Sequence, residues 1–218
     1  MNADRPIYKL YVCKPSEAYY LLGGSERESK NARILDALER TGGKKVIRCT
    51  ARWATERWTG FGVEIFPNIA AVQAHARLLI EENWQRYVRS WSVLGEQDQE
   101  DTSDPRKESG EQVYKLFVYR YNEAYYRLQQ DERVDKHARI REALRAQAVQ
   151  AERIISCNAY WATERWTGFG VEVFPNIAAV QAHADLLSEL CWQGYYVESW
   201  SVLGQRGSTR PAADQQVR

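Results

Sequence analysis

One 24-residue passage occurs twice in this chain. Trp53 to Ala76 reads WATERWTGFGVEIFPNIAAVQAHA, and Trp161 to Ala184 repeats it 108 residues later with Val173 for Ile65 as the one change. A period of that length is far beyond solenoid repeats and suits two copies of a small domain in one chain. The copying runs past the identical passage. Tyr8-Lys9-Leu10-Tyr11-Val12 answers Tyr114-Lys115-Leu116-Phe117-Val118, and Glu17-Ala18-Tyr19-Tyr20 answers Glu123-Ala124-Tyr125-Tyr126, both at an offset of 106. The offset becomes 108 at Cys49 and Cys157 and 109 at Trp91 and Trp200, so the second copy holds two extra residues and then one more near Tyr196. Trp53, Trp58, Trp84 and Trp91 pair with Trp161, Trp166, Trp192 and Trp200. His75 pairs with His183, whereas His137 faces Asn31 and drops out as a shared feature.

Residues 96–112 hold no aliphatic or aromatic side chain and are rich in Glu, Asp, Gln and Ser. Such a segment cannot bury enough apolar surface to offset its ordering entropy, so it reads as a solvated linker. Residues 205–218 have the same character and read as a flexible tail. The domains expected are therefore 1–95 and 113–204, each of about 90 residues and large enough for one core.

A formal charge of +1 gives no electrostatic reason to expect a nucleic-acid or membrane partner. No apolar run reaches the roughly 18 residues of a membrane span, and the N-terminus lacks the apolar stretch of a signal peptide. The four cysteines show no CxxC spacing. Cys49 and Cys157 lie in strand-like segments and read as buried free thiols in a reducing cytoplasm, the expected location. No metal site is expected, because two histidines 108 residues apart do not define one.

Within each copy the pattern gives a strand (Tyr8 to Cys13; Tyr114 to Tyr119) and then a helix over Ser25 to Arg40 with Ile34, Leu35 and Leu38 inward. Gly42-Gly43 stops that helix. Strands follow at Val46 to Trp53 and Gly60 to Phe66. Asn68 caps a helix reaching about Trp84, and Val88 to Leu94 closes the unit. The order is β-α-β-β-α-β, a ferredoxin-like α+β unit. Two such units with aromatic-rich sheets resemble the dimeric α+β barrel superfamily, in which two ferredoxin-like units pack sheet to sheet. That resemblance implies a pseudo-dimeric barrel, as monomer or homodimer, and a small-molecule ligand. Members include cofactor-independent monooxygenases, isomerases and lyases as well as haem-binding enzymes. In the haem-binding members a helix histidine faces a crevice between helix and sheet, which makes His75 or His183 an axial-ligand alternative.

Strand alternation supplies candidate residues. Ile47, Cys49, Ala51 and Trp53 share a face expected to lie against the helices, leaving Arg48, Thr50 and Arg52 opposite. The second copy has Ser156, Asn158 and Tyr160 at those three positions. Glu64 and Glu172 are expected to point into the space between the sheets. Glu172 there lacks the arginines that Glu64 has, which favours it as a general base. His75 and His183 sit on the flank of a helix's apolar face. Trp58 and Trp166, on the turns carrying Thr-Glu-Arg-Trp, are expected to line a pocket mouth with Trp91, Trp200, Arg52, Tyr160 and Asn158. The Tyr19-Tyr20 and Tyr125-Tyr126 pairs read as packing residues with hydroxyls at the surface.

RNA-recognition motifs share the element order, and Gly60-Phe61-Gly62 with Phe66 resembles their third-strand signature. Thr59 stands where a basic residue belongs and Val63 where a stacking ring belongs, so RNA binding is not expected. The leading reading is acid/base chemistry on an apolar or aromatic substrate without a dedicated cofactor. Its alternatives are a haem enzyme and a non-catalytic binding or assembly protein. If the two sheets face each other within one chain, residues 1–95 alone should self-associate or lose solubility. A stable monomer of that fragment by sedimentation would contradict the pseudo-dimer.

Overall fold

A computed structural model describes residues 5–98 and 111–206. The first half runs β1 (Ile7–Pro15), α1 (Glu17–Tyr20), α2 (Gly24–Arg40), β2 (Lys44–Thr50), β3 (Gly60–Phe66), α3 (Ile69–Glu81), α4 (Trp84–Tyr87) and β4 (Val88–Gln97). The second runs β5 (Val113–Tyr121), α5 (Glu123–Arg127), α6 (Gln130–Arg145), β6 (Glu152–Asn158), β7 (Gly168–Phe174), α7 (Ile177–Glu189), a 3-10 turn (Trp192–Tyr195) and β8 (Tyr196–Arg206). The expected α+β order is therefore present twice.

Local chemistry explains the boundaries. Asn68 caps α3 by accepting the Ala71 amide at 2.9 Å, and Asn176 does the same for Ala179 on α7 at 2.9 Å. Glu26 reaches back to the Gly23 amide at 2.9 Å to open α2, and Gly42 ends it with a φ of 72°. Helix α3 stops short of Trp84 because Asn83 takes a left-handed φ of 54°, and Cys191 repeats this at 52°. Leu35, expected inward, is 41% exposed; Ala37 and Leu38 fill its place.

The strands close into one barrel in the order β1-β3-β2-β8-β5-β7-β6-β4, all pairs antiparallel. Closure occurs at two short seams. Cys49 and Thr50 pair with Arg206 and Gln205, and Glu96 and Gln97 pair with Asn158 and Cys157. Glu96, Gln97, Gln205 and Arg206 belong to segments read from composition as solvated. Residues 99–110 of the expected linker and 207–218 of the expected tail lie outside the described residues.

The barrel interior is a single apolar core drawn from both halves. Leu10, Val12, Ile47, Cys49, Ala51, Phe61 and Val63 meet Leu116, Val118, Ile155, Cys157, Phe169 and Val171, and all are essentially inaccessible. An eight-stranded barrel is just wide enough for its own side chains to fill. The strand faces are the reverse of those expected. The face carrying Ile47, Cys49 and Ala51 looks into the barrel and not toward the helices, and Glu64 and Glu172 lie on the outer, helix-covered side. There Phe66 packs with Leu38 and Val72, and Phe174 with Leu144 and Ala179. Both faces of these strands carry apolar residues, and the closed interior excludes water on every side, so it takes the face without carboxylates.

Gly204 and Gly95 permit the seams. A Cβ on Gly204 would sit 2.6 Å from the Phe61 ring, and one on Gly95 would sit 2.7 Å from the Phe169 ring. In each case a ring of one half passes under the last strand of the other. Gly204→Val should therefore destabilise the protein by about 1–3 kcal/mol, the range for overpacking. An unchanged melting temperature would show that the seam can open without cost.

Candidate functional site

Between the second half's sheet and its helices lies a buried ionic group. Glu172 on β7 is 2% exposed. Its Oε1 accepts from Arg153 Nη2 at 2.8 Å, and Lys115 Nζ lies 3.7 Å from Oε2. Lys115 reaches it because β5 and β7 pair directly, with Lys115 opposite Glu172. Arg153 reaches it through a bulge. The β6–β7 register shifts between Arg153 and Ile155, so Arg153 turns to the helix side while Ile155 enters the barrel. The sequence reading that left Glu172 without a cationic partner is thereby corrected, since strict alternation puts Arg153 and Ile155 on one face.

His183 completes the group from α7, its Nδ1 4.0 Å from Glu172 Oε2. It is 1% exposed and its ring lies 5.4 Å from that of Phe174. Neither ring nitrogen has a hydrogen-bond partner. Burial is the main force lowering its pKa to about 4; Glu172 opposes this and Lys115 and Arg153 reinforce it. Desolvation pushes the Glu172 carboxyl upward, yet Lys115 and Arg153 outweigh it and hold the group below its ordinary value. The pattern at pH 7 is a neutral imidazole beside a carboxylate held by two cations. Removing that carboxylate leaves buried positive charge, which costs about 3–5 kcal/mol in comparable pairs.

The first half builds a simpler version. Glu64 pairs with Lys9 at 3.4 Å, and His75, 2% exposed, packs 5.3 Å from the Phe66 ring. Burial and then Lys9 lower the His75 pKa to about 4. At the position of Arg153 the first half has Lys45.

Beside the ionic group the second half carries an aromatic cluster. Tyr121 stacks on Tyr125 at 3.6 Å and on Tyr196 at 5.6 Å, with Tyr119 at 4.9 Å from Tyr121. Trp192 donates its indole N–H to the Tyr196 hydroxyl. His137 Nε2 lies 2.8 Å from the Tyr125 hydroxyl. Burial raises the pKa of Tyr119, Tyr121, Tyr125 and Tyr196, so these phenols keep their protons. Gly168 and Gly170 on β7 make room for the layer, because a Cβ on Gly168 would sit 2.7 Å from the Tyr119 hydroxyl and one on Gly170 would sit 2.6 Å from the Phe117 ring.

The remaining expected residues do not join this layer as one site. Trp58, Trp91, Trp166 and Trp200 pack on the barrel core, with Trp91 rings 5.2 Å from Trp200 and 6.1 Å from Trp166. Arg52 is exposed in the first half, far from its expected role opposite Glu64, whose cation is Lys9. Asn158 ends β6 and its Oδ1 accepts the Tyr160 amide at 3.0 Å. Tyr160 is exposed and its hydroxyl meets that of Tyr126 at the surface. Tyr125 is 8% exposed, which corrects the expectation of a surface hydroxyl there. A cleft of about 370 Å³ lined by Trp53, Glu111, Val113, Asn176, Ile177 and Gln205 lies at one seam and holds no histidine. Arg153, Tyr119, Tyr121 and His137 lie outside the features the copies share, and Lys115 and Tyr196 carry no motif that marks them in the sequence. The available signal was divergence: Tyr119, Tyr121, His137 and Tyr160 replace Cys13, Pro15, Asn31 and Arg52.

No family model matches the chain, and no curated relative matches it in sequence. Solved structures do. A mutant chlorite dismutase from Candidatus Nitrospira defluvii superposes with a TM-score of 0.76 at 8% identity, covering 94% of this chain and 92% of that one. The fold is chlorite dismutase-like. The enzyme from the same source in complex with imidazole gives a TM-score of 0.75, and a mutant in complex with cyanide gives 0.77, each at 8% identity over the same shares of both chains. Chlorite dismutase-like neighbours bind haem, which points against the expectation of a protein without a cofactor. Among the described residues no helix is long and apolar enough to cross a membrane.

The donor chemistry of the layer suits haem. An imidazole with both nitrogens unpartnered and a carboxylate behind Nδ1 is the arrangement that orients an axial ligand. The ring is packed on Phe174, and haem binding would require that contact to open.

The depressed histidines set a pH window. Each has a folded-state pKa near 4 against 6.5 for a free imidazole, so the unfolded chain binds more protons between these limits. Stability should be full above pH 6.5 and fall as pH drops toward 4, by no more than about 3 kcal/mol per histidine. The Glu172 contribution, from a lowered pKa, should be lost only below about 4.5. Thermal melts of the parent and of His183→Leu across pH 4–7 test this; an equal slope in both would exclude His183 as a source.

Proposed function

We propose that this chain is a haem-binding enzyme in which the second half holds the group, with His183 as axial ligand. The observation that carries the reading is the His183–Glu172 pair, a buried imidazole with no hydrogen bond of its own and a carboxylate 4.0 Å from Nδ1. The chlorite dismutase-like fold supports it. Cofactor-free acid/base catalysis loses its footing for a physical reason: Glu64 and Glu172 are not in a cavity between the sheets, and the barrel interior is filled. On the same reading the chain is a tandem fusion of two ferredoxin-like units, 1–95 and 113–204, and its ligand is a small molecule.

The roles of this chain's own residues follow from their placement. Glu172 Oε2 lies 4.0 Å from Nδ1 of His183 and, with haem bound, would close on it to accept its proton, fixing the tautomer that leaves Nε2 free to coordinate. Lys115 and Arg153 keep Glu172 ionised and immobile. Phe174 and the tyrosine cluster exclude water from the layer. Bound haem would supply redox chemistry on a small substrate. The first half, with Glu64 committed to Lys9, is the structural partner.

Haem titration of the purified protein, followed by the Soret band, tests the proposal. His183→Ala should abolish the band and His75→Ala should keep it. Glu172→Gln should weaken haem affinity by roughly 10–100-fold, as loss of an orienting carboxylate does. A band that survives His183→Ala, or no band in the parent, would overturn the assignment.

A further inference from the structure

The second half holds more oxidisable rings than its fold requires. The first half builds the same strands and helices with Cys13, Pro15, Asn31 and Arg52 where the second has Tyr119, Tyr121, His137 and Tyr160. Packing alone therefore does not call for these substitutions. They share one geometrical consequence, an unbroken series of rings from the buried layer to solvent.

The series starts at Tyr119, next to Arg153 by way of Phe117, whose ring lies 6.1 Å from Tyr119 and 5.5 Å from the guanidinium. Tyr121 follows at 4.9 Å, Tyr125 at 3.6 Å and Tyr126 at 5.7 Å. Tyr126 and Tyr160, 45% and 51% exposed, touch through their hydroxyls. Trp192 flanks the middle, 6.1 Å from Tyr121 and 6.3 Å from Tyr125. Oxidising a phenol at neutral pH requires an acceptor for its proton. Tyr125 has one in His137 Nε2 at 2.8 Å, in the tautomer protonated at Nδ1; the same nitrogen lies 3.5 Å from the Tyr121 hydroxyl, and the exposed pair has water.

We propose that Tyr121, Tyr125 and Tyr126 carry single oxidising equivalents from the buried layer to Tyr160, making the Tyr126–Tyr160 pair a surface site for oxidation of phenolic reductants. Each step moves one electron inward along the series. At the surface one tyrosine loses an electron and passes its proton to water, leaving a tyrosyl radical. A phenol at the surface then gives up one electron and one proton, which restores the tyrosine and leaves a phenoxyl radical. The natural oxidant is of the peroxide class, consumed at the layer with two electrons and two protons to give two waters, or one water and an alcohol from an organic peroxide. In that respect alone the inference rests on the haem reading.

The path can be tested without haem. Cys191 is exposed and precedes Trp192, whereas Cys49 and Cys157 are buried. In a Cys13→Ser background a ruthenium polypyridyl photo-oxidant is attached at Cys191, with a cobalt(III) ammine as terminal electron acceptor. Illumination should oxidise Trp192, give a tyrosyl radical by electron paramagnetic resonance, and on continued exposure give dityrosine fluorescence. In that product two phenols each lose one electron and one proton and join through their ortho carbons. Tyr160→Phe should abolish dityrosine and keep the radical. Tyr125→Phe preserves the ring stack and should abolish dityrosine driven from Cys191. The same photo-oxidant free in solution should still cross-link the exposed pair in that variant. Dityrosine from Cys191 that survives Tyr125→Phe would overturn the path, as would a radical confined to Trp192 in the parent. Loss of cross-linking with both tethered and free oxidant would also overturn it, because Tyr125 would then only position Tyr126. None of these results depends on whether His183 binds haem.

Discussion

Everything in this protein depends on the closure of eight strands around one dry interior. The two sheets hydrogen-bond to each other at only two short seams, yet their apolar faces form a single core that neither half could bury alone. Water is excluded there on every side, so no carboxylate can face inward without a partner. Closure therefore decides which face of β3 and β7 carries Glu64 and Glu172. It sends both to the helix side, where amphipathic helices and long cationic side chains can accommodate them.

The two halves use that outer layer differently although their β7-type strands are nearly identical. In the first, one lysine pairs with a partly buried glutamate. In the second, a lysine and an arginine converge on a glutamate that water barely reaches, and a histidine is held beside it with no hydrogen bond. Such a group is expensive in isolation and is tolerated because the charges are mutually compensated. Duplication thus gave two copies of one scaffold, one of which retains a minimal ion pair while the other concentrates charge, imidazole and phenols in a single layer.

Small changes of backbone register made that concentration possible. A bulge at Ile154 turns Arg153 outward to Glu172. A second shift where β5 meets β8, between Arg120 and Tyr121, coincides with the one-residue insertion near Tyr196 and sets Tyr196 opposite Tyr121. Each moves one residue across a strand, since side chains alternate with a period of two. Gly168 and Gly170 then leave the space in which the rings of Tyr119 and Phe117 lie flat on the sheet.

The duplication, the β-α-β-β-α-β order and the capping by Asn68 and Asn176 were all legible in the sequence, because they rest on local signals: identity, periodicity and a side chain three residues from its partner. So was the placement of His183 on its helix and of Glu172 on its strand. Which way Glu172 points was not legible. Both strand faces are apolar enough to be core, and only closure of the barrel ranks them. Arg153 was hidden by a bulge that breaks alternation, and the tyrosine cluster by a search for what the copies share. The sequence by itself determined two ferredoxin-like units and the chemical types available to them. The tertiary structure alone decided which of those groups meet, because the contacts of Glu172 with Lys115, Arg153 and His183 are made between separate elements whose facing is set by the barrel.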